Sequence, residues 1–345
     1  MKISRLIVGA GLLALSLMSA AREAAPPVEI PESDTIIWRN TLHQDPTTIT
    51  ATLNDVRKLI QWSQTHGDLR ALGRADALLL QSGNTNVESR ILRAIINQRQ
   101  HRFAEAAAVL RGVLAESPDH AQANFTLYSI ALVQGDFALA RTTCQRLQTL
   151  GFALIAQSCL HNLLGLEGEA EQAFLGLDAV VQSPPPHTPQ ERAWAAGTLA
   201  ELAAAIDHPH TERYYRQALQ LAPDDHYSAA GLAQWYLQHN QAEAALAALA
   251  DRPRTDRLDL LRLIAMRKIP NIRSDSLYRQ LKQRFESASQ RDASLHLHER
   301  ARFELDVEQR PEEALKLAEA NYRQQKERAD FQLLQRARQQ AGMQQ

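Results

Sequence analysis

The sequence has few of the residues and motifs that carry chemistry. Its 345 residues include two cysteines, and these do not form a CxxC motif, so a dithiol redox enzyme is not indicated. It also lacks a GxSxG nucleophile elbow, a Walker-type glycine loop, a dinucleotide-binding fingerprint and an HExxH zinc motif. We therefore expect a protein that is not an enzyme, with no catalytic residues, no metal ligands and no cofactor.

An excess of positive charge is also missing. The chain has 38 basic and 39 acidic residues, and removing Lys2 and Arg5 with an N-terminal leader would leave 36 against 39, a net charge near −3. Such a balance provides no electrostatic surface for nucleic acid or for an anionic membrane. Nucleic acid is therefore not an expected partner.

A long apolar run occurs at the N-terminus. Lys2 and Arg5 lead into an apolar run over 6–18, and small residues follow at 19–21. The run is shorter than the roughly 20 residues that span a bilayer. We predict a signal peptide over 1–21, cleaved near Ala21, with an uncleaved membrane helix as the alternative. Since no cysteine lies at the cleavage site to carry a lipid, we expect a periplasmic protein without stable membrane insertion.

A short signature with an alanine at its centre recurs along the rest of the chain. Its members are separated by 34, 33, 72 and 69 residues, so the longer gaps hold about two periods each. The alanines are Ala106, Ala140, Ala173, Ala245 and Ala314. A period near 34 with helical apolar spacing is typical of a solenoid built from helix pairs.

We divide the chain into four parts, one of which contains the repeats. The signal peptide, 1–21, is followed by a proline-rich leader over 22–46, a solenoid over 47–328, and a capping helix and tail over 329–345. Some of the repeat units are degenerate, above all 260–294. We set the units at 53–86, 87–120, 121–153, 154–187, 192–225, 226–259, 260–294 and 295–328.

Glycine followed by an acidic residue recurs between the helices of a unit. The three occurrences begin at Gly67, Gly135 and Gly168. Glycine accepts the left-handed conformation that ends one helix, and an acidic residue favours the start of the next. A proline-rich stretch over 183–189 is the main interruption, and we interpret it as an extended loop between units.

The pattern resembles the tetratricopeptide repeat (TPR) family over about 53–328. The resemblance rests on small residues at the eighth and twentieth positions of the units, and on prolines near their ends at Pro118 and Pro223. The small residues are Ala94, Ala233, Ala106, Ala140, Ala173 and Ala245. The resemblance implies an all-α fold, a right-handed superhelical α-solenoid whose units each place their first helix on the concave face.

The same resemblance implies a partner-binding groove. Counting positions along the first helices gives residues that point into it: Arg57, Gln61, Leu92, Phe125, Ser129, Asn162, Tyr227 and Gln234. The larger aliphatic side chains could instead pack against neighbouring units. Some family members bind a C-terminal carboxylate through a clamp of several basic and amide side chains. Here only Arg57 matches a clamp position, so we do not predict binding of a C-terminal carboxylate.

The two cysteines are predicted to lie side by side. Cys144 falls on the second helix of one unit and Cys159 on the first helix of the next, at matching distances from the turn near Gly151. In an oxidising compartment we predict that they form a disulfide, which would contribute about 3 kcal/mol on the chain-entropy model. The alternative is two buried thiols that fill small packing positions.

Twelve histidines raise the question of a metal site. The densest pairs are His208 with His210 and His296 with His298. Residues two apart do not share a helix face, and neither pair has the further ligands of a usual site. Surface histidines near turns are the better interpretation.

These observations favour a non-enzymatic adaptor or assembly protein in the envelope of a Gram-negative bacterium. It would hold a peptide segment or a protein partner in its concave groove. The alternative is a ligand- or metal-binding accessory protein of an envelope uptake system that uses the histidine-bearing turns. A hydrolase with an unrecognised site ranks below both.

Overall fold

The computed structural model describes residues 52–182, 187–291 and 296–342. The predicted signal peptide and leader, residues 1–46, therefore lie outside the described residues, as does most of the proline-rich loop. Within these ranges the chain folds into seventeen α-helices without a β-strand. None of these helices combines the length and the apolar character that are needed to cross a bilayer.

The helices follow one another as antiparallel pairs, with a single helix at the end. In chain order they are α1 (Leu53–His66), α2 (Leu69–Gln81), α3 (Val87–Arg99), α4 (Phe103–Glu116), α5 (Ala121–Gln134), α6 (Phe137–Thr149), α7 (Ala153–Leu166), α8 (Ala170–Gln182), α9 (Pro189–Ala205), α10 (Thr211–Leu221), α11 (His226–Gln238), α12 (Ala242–Ala248), α13 (Asp256–Lys268), α14 (Asp275–Arg291), α15 (Leu297–Asp306), α16 (Pro311–Gln324) and α17 (Arg328–Gln340). The predicted all-α helical repeat solenoid is confirmed.

The recurring alanines lie where two helices of a pair cross. All five are completely buried, with 0% of their surface exposed. A methyl side chain lets the two backbones approach closely, so these positions tolerate little added volume. They are Ala106, Ala140, Ala173, Ala245 and Ala314.

Glycine ends the first helix of several pairs in the way that the sequence indicates. Gly67, Gly135 and Gly168 have φ angles of 68°, 73° and 108°, which lie in the left-handed region. At the first two, the following aspartate caps the next helix: Asp68 accepts from a backbone N–H of α2, and Asp136 from one of α6. These local choices fix the short turns that hold the pairs antiparallel.

The junction between the sixth and seventh pairs departs most from the regular period. Helix α12 is only seven residues long, and Thr255 caps the start of α13 at Asp256, ahead of the predicted unit boundary at 260. Arg262, which is 8% exposed, fastens the loop between the two helices. Its guanidinium donates to the carbonyl oxygens of residues 249, 252 and 253 and to the carboxylate of fully buried Asp259, at 2.6–3.1 Å. The buried Arg262 side chain thus provides hydrogen-bond donors for the carbonyl oxygens of the loop that follows the short α12 helix.

The solenoid curves far enough for distant units to touch. His226 at the start of α11 donates from Nε2 to the carbonyl oxygen of Thr65 near the end of α1, at 2.9 Å. A Cβ atom at Gly67 would lie 2.7 Å from Cγ2 of Thr255, so the turn after α1 abuts the start of α13. We call these contacts between α1 and the α11 and α13 helices the closing seam.

A second contact of this kind joins the end of the solenoid to its second and third pairs. The backbone N–H of Lys326 donates to the carbonyl oxygen of Val133 at 2.6 Å, and Gln325 donates to Nδ1 of His101 at 3.0 Å. The inner face of the superhelix is therefore partly enclosed by its own later units.

Candidate functional site

A cavity of about 340 Å³ lies next to the closing seam, between units that are far apart in sequence. Its walls come from the first helices of four units, α1, α3, α11 and α13, and from the residues that precede the last two. The lining residues are Gln61, Gln64, Thr65, Arg99, Asp224, His226, Tyr227, Thr255, Arg257 and Leu258. We refer to it as the inner cavity.

Arg99 brings a positive charge to the inner cavity from the end of α3. Its side chain is partly buried, and its Nε atom is closed to solvent without a hydrogen-bond partner among the described residues. Burial lowers the pKa of Arg99 to about 10, because the charged form loses hydration. The side chain remains a cation at neutral pH.

Arg257 brings a second positive charge from the first turn of α13. Its guanidinium carbon lies 4.7 Å from the centre of the Tyr227 ring, an arrangement in which the ring face attracts the cation. Burial opposes the charge, but the nearby Tyr227, Glu299 and Glu327 outweigh it and raise the pKa of Arg257. Since the residue also keeps contact with solvent, we expect these effects to be screened.

Tyr227 connects the inner cavity to a smaller one of about 30 Å³. The Tyr227 hydroxyl forms a hydrogen bond with the carboxylate of Glu201 on α9. The negative charge of Glu201, followed by burial, raises the pKa of Tyr227 well above its usual value. Burial in turn raises the pKa of Glu201 to about 7, so this carboxyl group changes charge near neutral pH.

Two of the predicted groove residues, Gln61 and Tyr227, line the inner cavity. A third, Arg57, lies on the same face of α1 as Gln61 and forms an ion pair with Glu88 on α3. The contact connects the first two units, which gives Arg57 a structural partner of its own.

Three other predicted groove residues are buried, which corrects the expectation. Leu92, Phe125 and Ser129 are 2%, 3% and 0% exposed. Leu92 belongs to the core between the first units, and Phe125 packs edge-on against Trp194 with ring centres 5.3 Å apart. Ser129 borders the small cavity, but its hydroxyl donates to a carbonyl oxygen of its own helix. A partner could not contact the Leu92 and Phe125 side chains in this arrangement.

The last two predicted groove residues are half-buried. Asn162 borders the small cavity and donates to the Tyr128 hydroxyl at 3.2 Å. Gln234 on α11 has its Oε1 atom closed to solvent and without a hydrogen-bond partner among the described residues. Neither residue lines the inner cavity.

The two cysteines lie together in the core, as their spacing indicates. Cys144 and Cys159 are each 0% exposed and both are free thiols, so the predicted disulfide is not formed in this structure. Burial, and then the neighbouring Cys144, raises the pKa of the Cys159 thiol well above its usual value. A buried thiol that is not ionised reacts slowly, so oxidation of the pair would require local opening.

The histidine pairs have structural partners. His208 packs against Phe174 with ring centres 4.7 Å apart, and His298 contacts the buried carboxylate of Asp330 at 2.7 Å. Over the described part of the chain, no three or more His, Cys, Asp or Glu side chains come together in a way that could hold a metal ion.

Arg257 and Glu201 were missed by the sequence analysis, for different reasons. Arg257 precedes the predicted unit boundary at 260, although the threonine–aspartate pair at 255–256 is a recognisable helix start. Glu201 lies in the fifth unit, from which no groove residue was predicted. Burial raises its pKa against the opposing effect of Tyr227 in the next unit, and this burial has no local sequence signal.

Comparison with known protein families gives a match for one segment of the chain. Residues 98–149, from the end of α3 to α6, match a sequence model of the tetratricopeptide repeat. No curated protein matches the chain in sequence. The matched segment and the repeated helix pairs define a repeat protein of the helical solenoid class. Within that class, residues 98–149 are similar to the tetratricopeptide repeat.

Solved structures of the same class overlap with the chain only loosely. A tetratricopeptide repeat protein from Parabacteroides merdae ATCC 43184 is 14% identical, with 84% of this chain and 99% of that chain covered and a TM-score of 0.39. The TPR domain of P58(IPK) is 15% identical, with 84% and 97% covered and a TM-score of 0.23.

Proposed function

We propose that the protein is a non-enzymatic interaction scaffold of the periplasm that holds a protein partner through the inner face of its superhelix. The tetratricopeptide repeat fold suggests a protein–protein interaction scaffold, and such proteins are generally not catalysts. The periplasmic location is supported by the signal-peptide pattern of residues 1–21.

The observation that carries this proposal is the inner cavity. Residues of four first helices converge on it, and Arg99, Tyr227 and Arg257 supply charge and an aromatic face. Arginine and tyrosine are the side chains most often found at the energetic centre of protein interfaces.

The size of the inner cavity limits what can enter it. Its volume of about 340 Å³ is at the lower end of the range of ligand pockets, roughly 300–1,000 Å³. In this closed arrangement it holds one or a few side chains of a partner, not a long extended peptide. A longer segment would require the closing seam to open.

The alternative, a metal- or ligand-binding accessory protein of an uptake system, gains no support from the histidines. His208 and His298 already have partners in the fold, and no metal-binding group of side chains is present in the described ranges. We therefore retain the interaction scaffold as the proposed function.

Site-specific photocrosslinking tests the proposal. A photoreactive residue is placed at Gln64, which lines the inner cavity, or at Leu80, which is 60% exposed on α2 and does not line it. In a Gram-negative host, a protein crosslinked from position 64 and not from position 80 would support binding on the inner face. Crosslinking from position 80 alone, or from neither position, would contradict it. Retention of the chain in the cytoplasm after osmotic shock would contradict the location.

A further inference from the structure

The two arginines of the inner cavity have no carboxylate partner at ion-pair distance in the described part of the chain. Arg99 Nε is closed to solvent and makes no hydrogen bond there. Arg257 has the face of Tyr227 as its neighbour. Two guanidinium groups thus line one cavity without an ion pair.

Two buried arginines elsewhere in the described ranges, Arg262 and Arg302, are paired with carboxylates. Arg262 donates to Asp259 at 2.8 Å and to three carbonyl oxygens. Arg302 contacts Asp306 at 3.0 Å, with both side chains less than 15% exposed. Pairing compensates for the hydration that a buried charge loses. Arg99 loses hydration in the same way, yet the chain supplies it with no such partner.

The acids near the inner cavity do not fill this role. Glu201 on α9, Glu299 on α15 and Glu327, which caps the start of α17, act on Arg257, but none of them lines the inner cavity or reaches ion-pair distance. Asp224 is the acidic residue of the lining, and it is exposed to solvent. The lining of the inner cavity therefore has two positively charged side chains and one carboxylate, which is hydrated.

We propose that the inner cavity binds an oxyanion group, a carboxylate or a phosphate, between Arg99 and Arg257. Guanidinium groups bind such oxygens through paired, charge-assisted hydrogen bonds. The group is either an acidic residue of the partner or a free small anion. The inference rests on the proposed function only in placing the partner's contact at the inner face.

The position of the two arginines gives this binding a structural consequence. Arg99 belongs to the second helix pair and Arg257 to the seventh, and both line the inner cavity. An anion that contacts both arginines binds the closed superhelix more tightly than an open one, so it stabilises closure.

Titration calorimetry on the mature chain tests the site at physiological salt, with three probes: inorganic phosphate, citrate, and a short peptide of alternating glutamate and serine. We expect at least one probe to bind, and Arg99→Gln and Arg257→Gln each to weaken it about tenfold or more, since a charge-assisted hydrogen bond is lost. Arg279→Gln, at an exposed position on α14, is the matched control and should leave binding unchanged.

The outcomes separate the two sources of the anion. Binding of the peptide alone indicates an acidic segment of a partner, and binding of phosphate or citrate alone indicates a free small anion. If Arg99→Gln fails to fold, as circular dichroism would show, Arg257→Gln still tests the site, because its side chain is solvent-exposed. Absence of binding by all three probes, or equal binding by Arg257→Gln and the wild type, would overturn the proposal. Since no protein partner is needed, failure of the crosslinking experiment would leave this result standing.

Discussion

Glu201 should make the stability of the protein depend on pH near neutrality. Burial raises the pKa of this carboxyl group to about 7 from an ordinary 4.5, against the opposing effect of its hydrogen bond with Tyr227. The folded protein therefore holds the proton more tightly than the unfolded chain. The contribution of Glu201 to stability is fully present below about pH 4.5 and is lost as the pH rises through about 7.

The size of this effect follows from the same pKa difference. The interval between 4.5 and about 7, at about 1.4 kcal/mol for each pH unit, bounds it at about 3 kcal/mol. Because Glu201 keeps some contact with solvent, we expect screening to reduce it to about 1–2 kcal/mol. Glu201→Gln imitates the protonated group, so the variant should match the wild type near pH 4.5 and exceed its stability at pH 8.

Guanidinium-induced unfolding followed by circular dichroism, at both pH values, measures this difference. Glu286→Gln, at an exposed position on α14, is the control and should follow the wild type at each pH. Burial also raises the pKa of Asp225, Asp256 and Glu327, so the comparison is between Glu201→Gln and the wild type at one pH. Equal stability of the two proteins at pH 8 would show that the ionised Glu201 carboxylate does not destabilise the fold.

Three further changes test the packing of the solenoid. Arg262→Met should lower the free energy of unfolding by about 3 kcal/mol or more in chemical denaturation, since it leaves three carbonyl oxygens without a donor, and an unchanged midpoint would contradict this. Ala140→Leu should cost about 1–3 kcal/mol at a completely buried helix crossing, whereas Ala138→Leu, exposed on the same helix, should cost little. Gly67→Ala and Gly83→Ala both place an alanine at a positive φ, but only the added Cβ at position 67 would contact the start of α13. Gly67→Ala should therefore enlarge the radius of gyration in small-angle scattering, and Gly83→Ala should not. Equal radii for these two variants would argue against the closing seam.

The helices and their pairing could be predicted because their signals are local. The recurring alanine marks a helix crossing wherever it falls, and Ala106 and Ala140 are buried as that pattern requires. A glycine such as Gly135 marks a helix end through its own backbone conformation. Each signal is complete within one unit, so a short stretch of sequence contains it.

The binding surface could be predicted only in part, because counting helix positions does not decide which neighbour a side chain meets. Leu92 and Gln61 both fall on first helices, but Leu92 packs into the core and Gln61 lines the inner cavity. The difference depends on how adjacent units are rotated against each other. That rotation is small for each pair of units, and the residues of a single repeat do not determine it.

The closing seam could not be predicted at all from the repeats. The hydrogen bond between His226 and Thr65 joins residues 161 positions apart and results from curvature summed over several units. The short α12 helix adds to the difficulty, since it shifts α13 and brings Arg257 ahead of the expected boundary. The inner cavity is therefore a property of the assembled superhelix.

The most direct test of the closing seam is the distance in solution between the end of α1 and the start of α13. Spin labels on His66→Cys and Arg254→Cys, both exposed positions beside the closing seam, report it by pulsed electron resonance, with Cys144 and Cys159 replaced by serine. We expect one short, narrow distance distribution, because Thr65 and Gly67 contact the starts of α11 and α13. A broad distribution at long distances would show that the two units do not meet, and the inner cavity would not exist as a binding site.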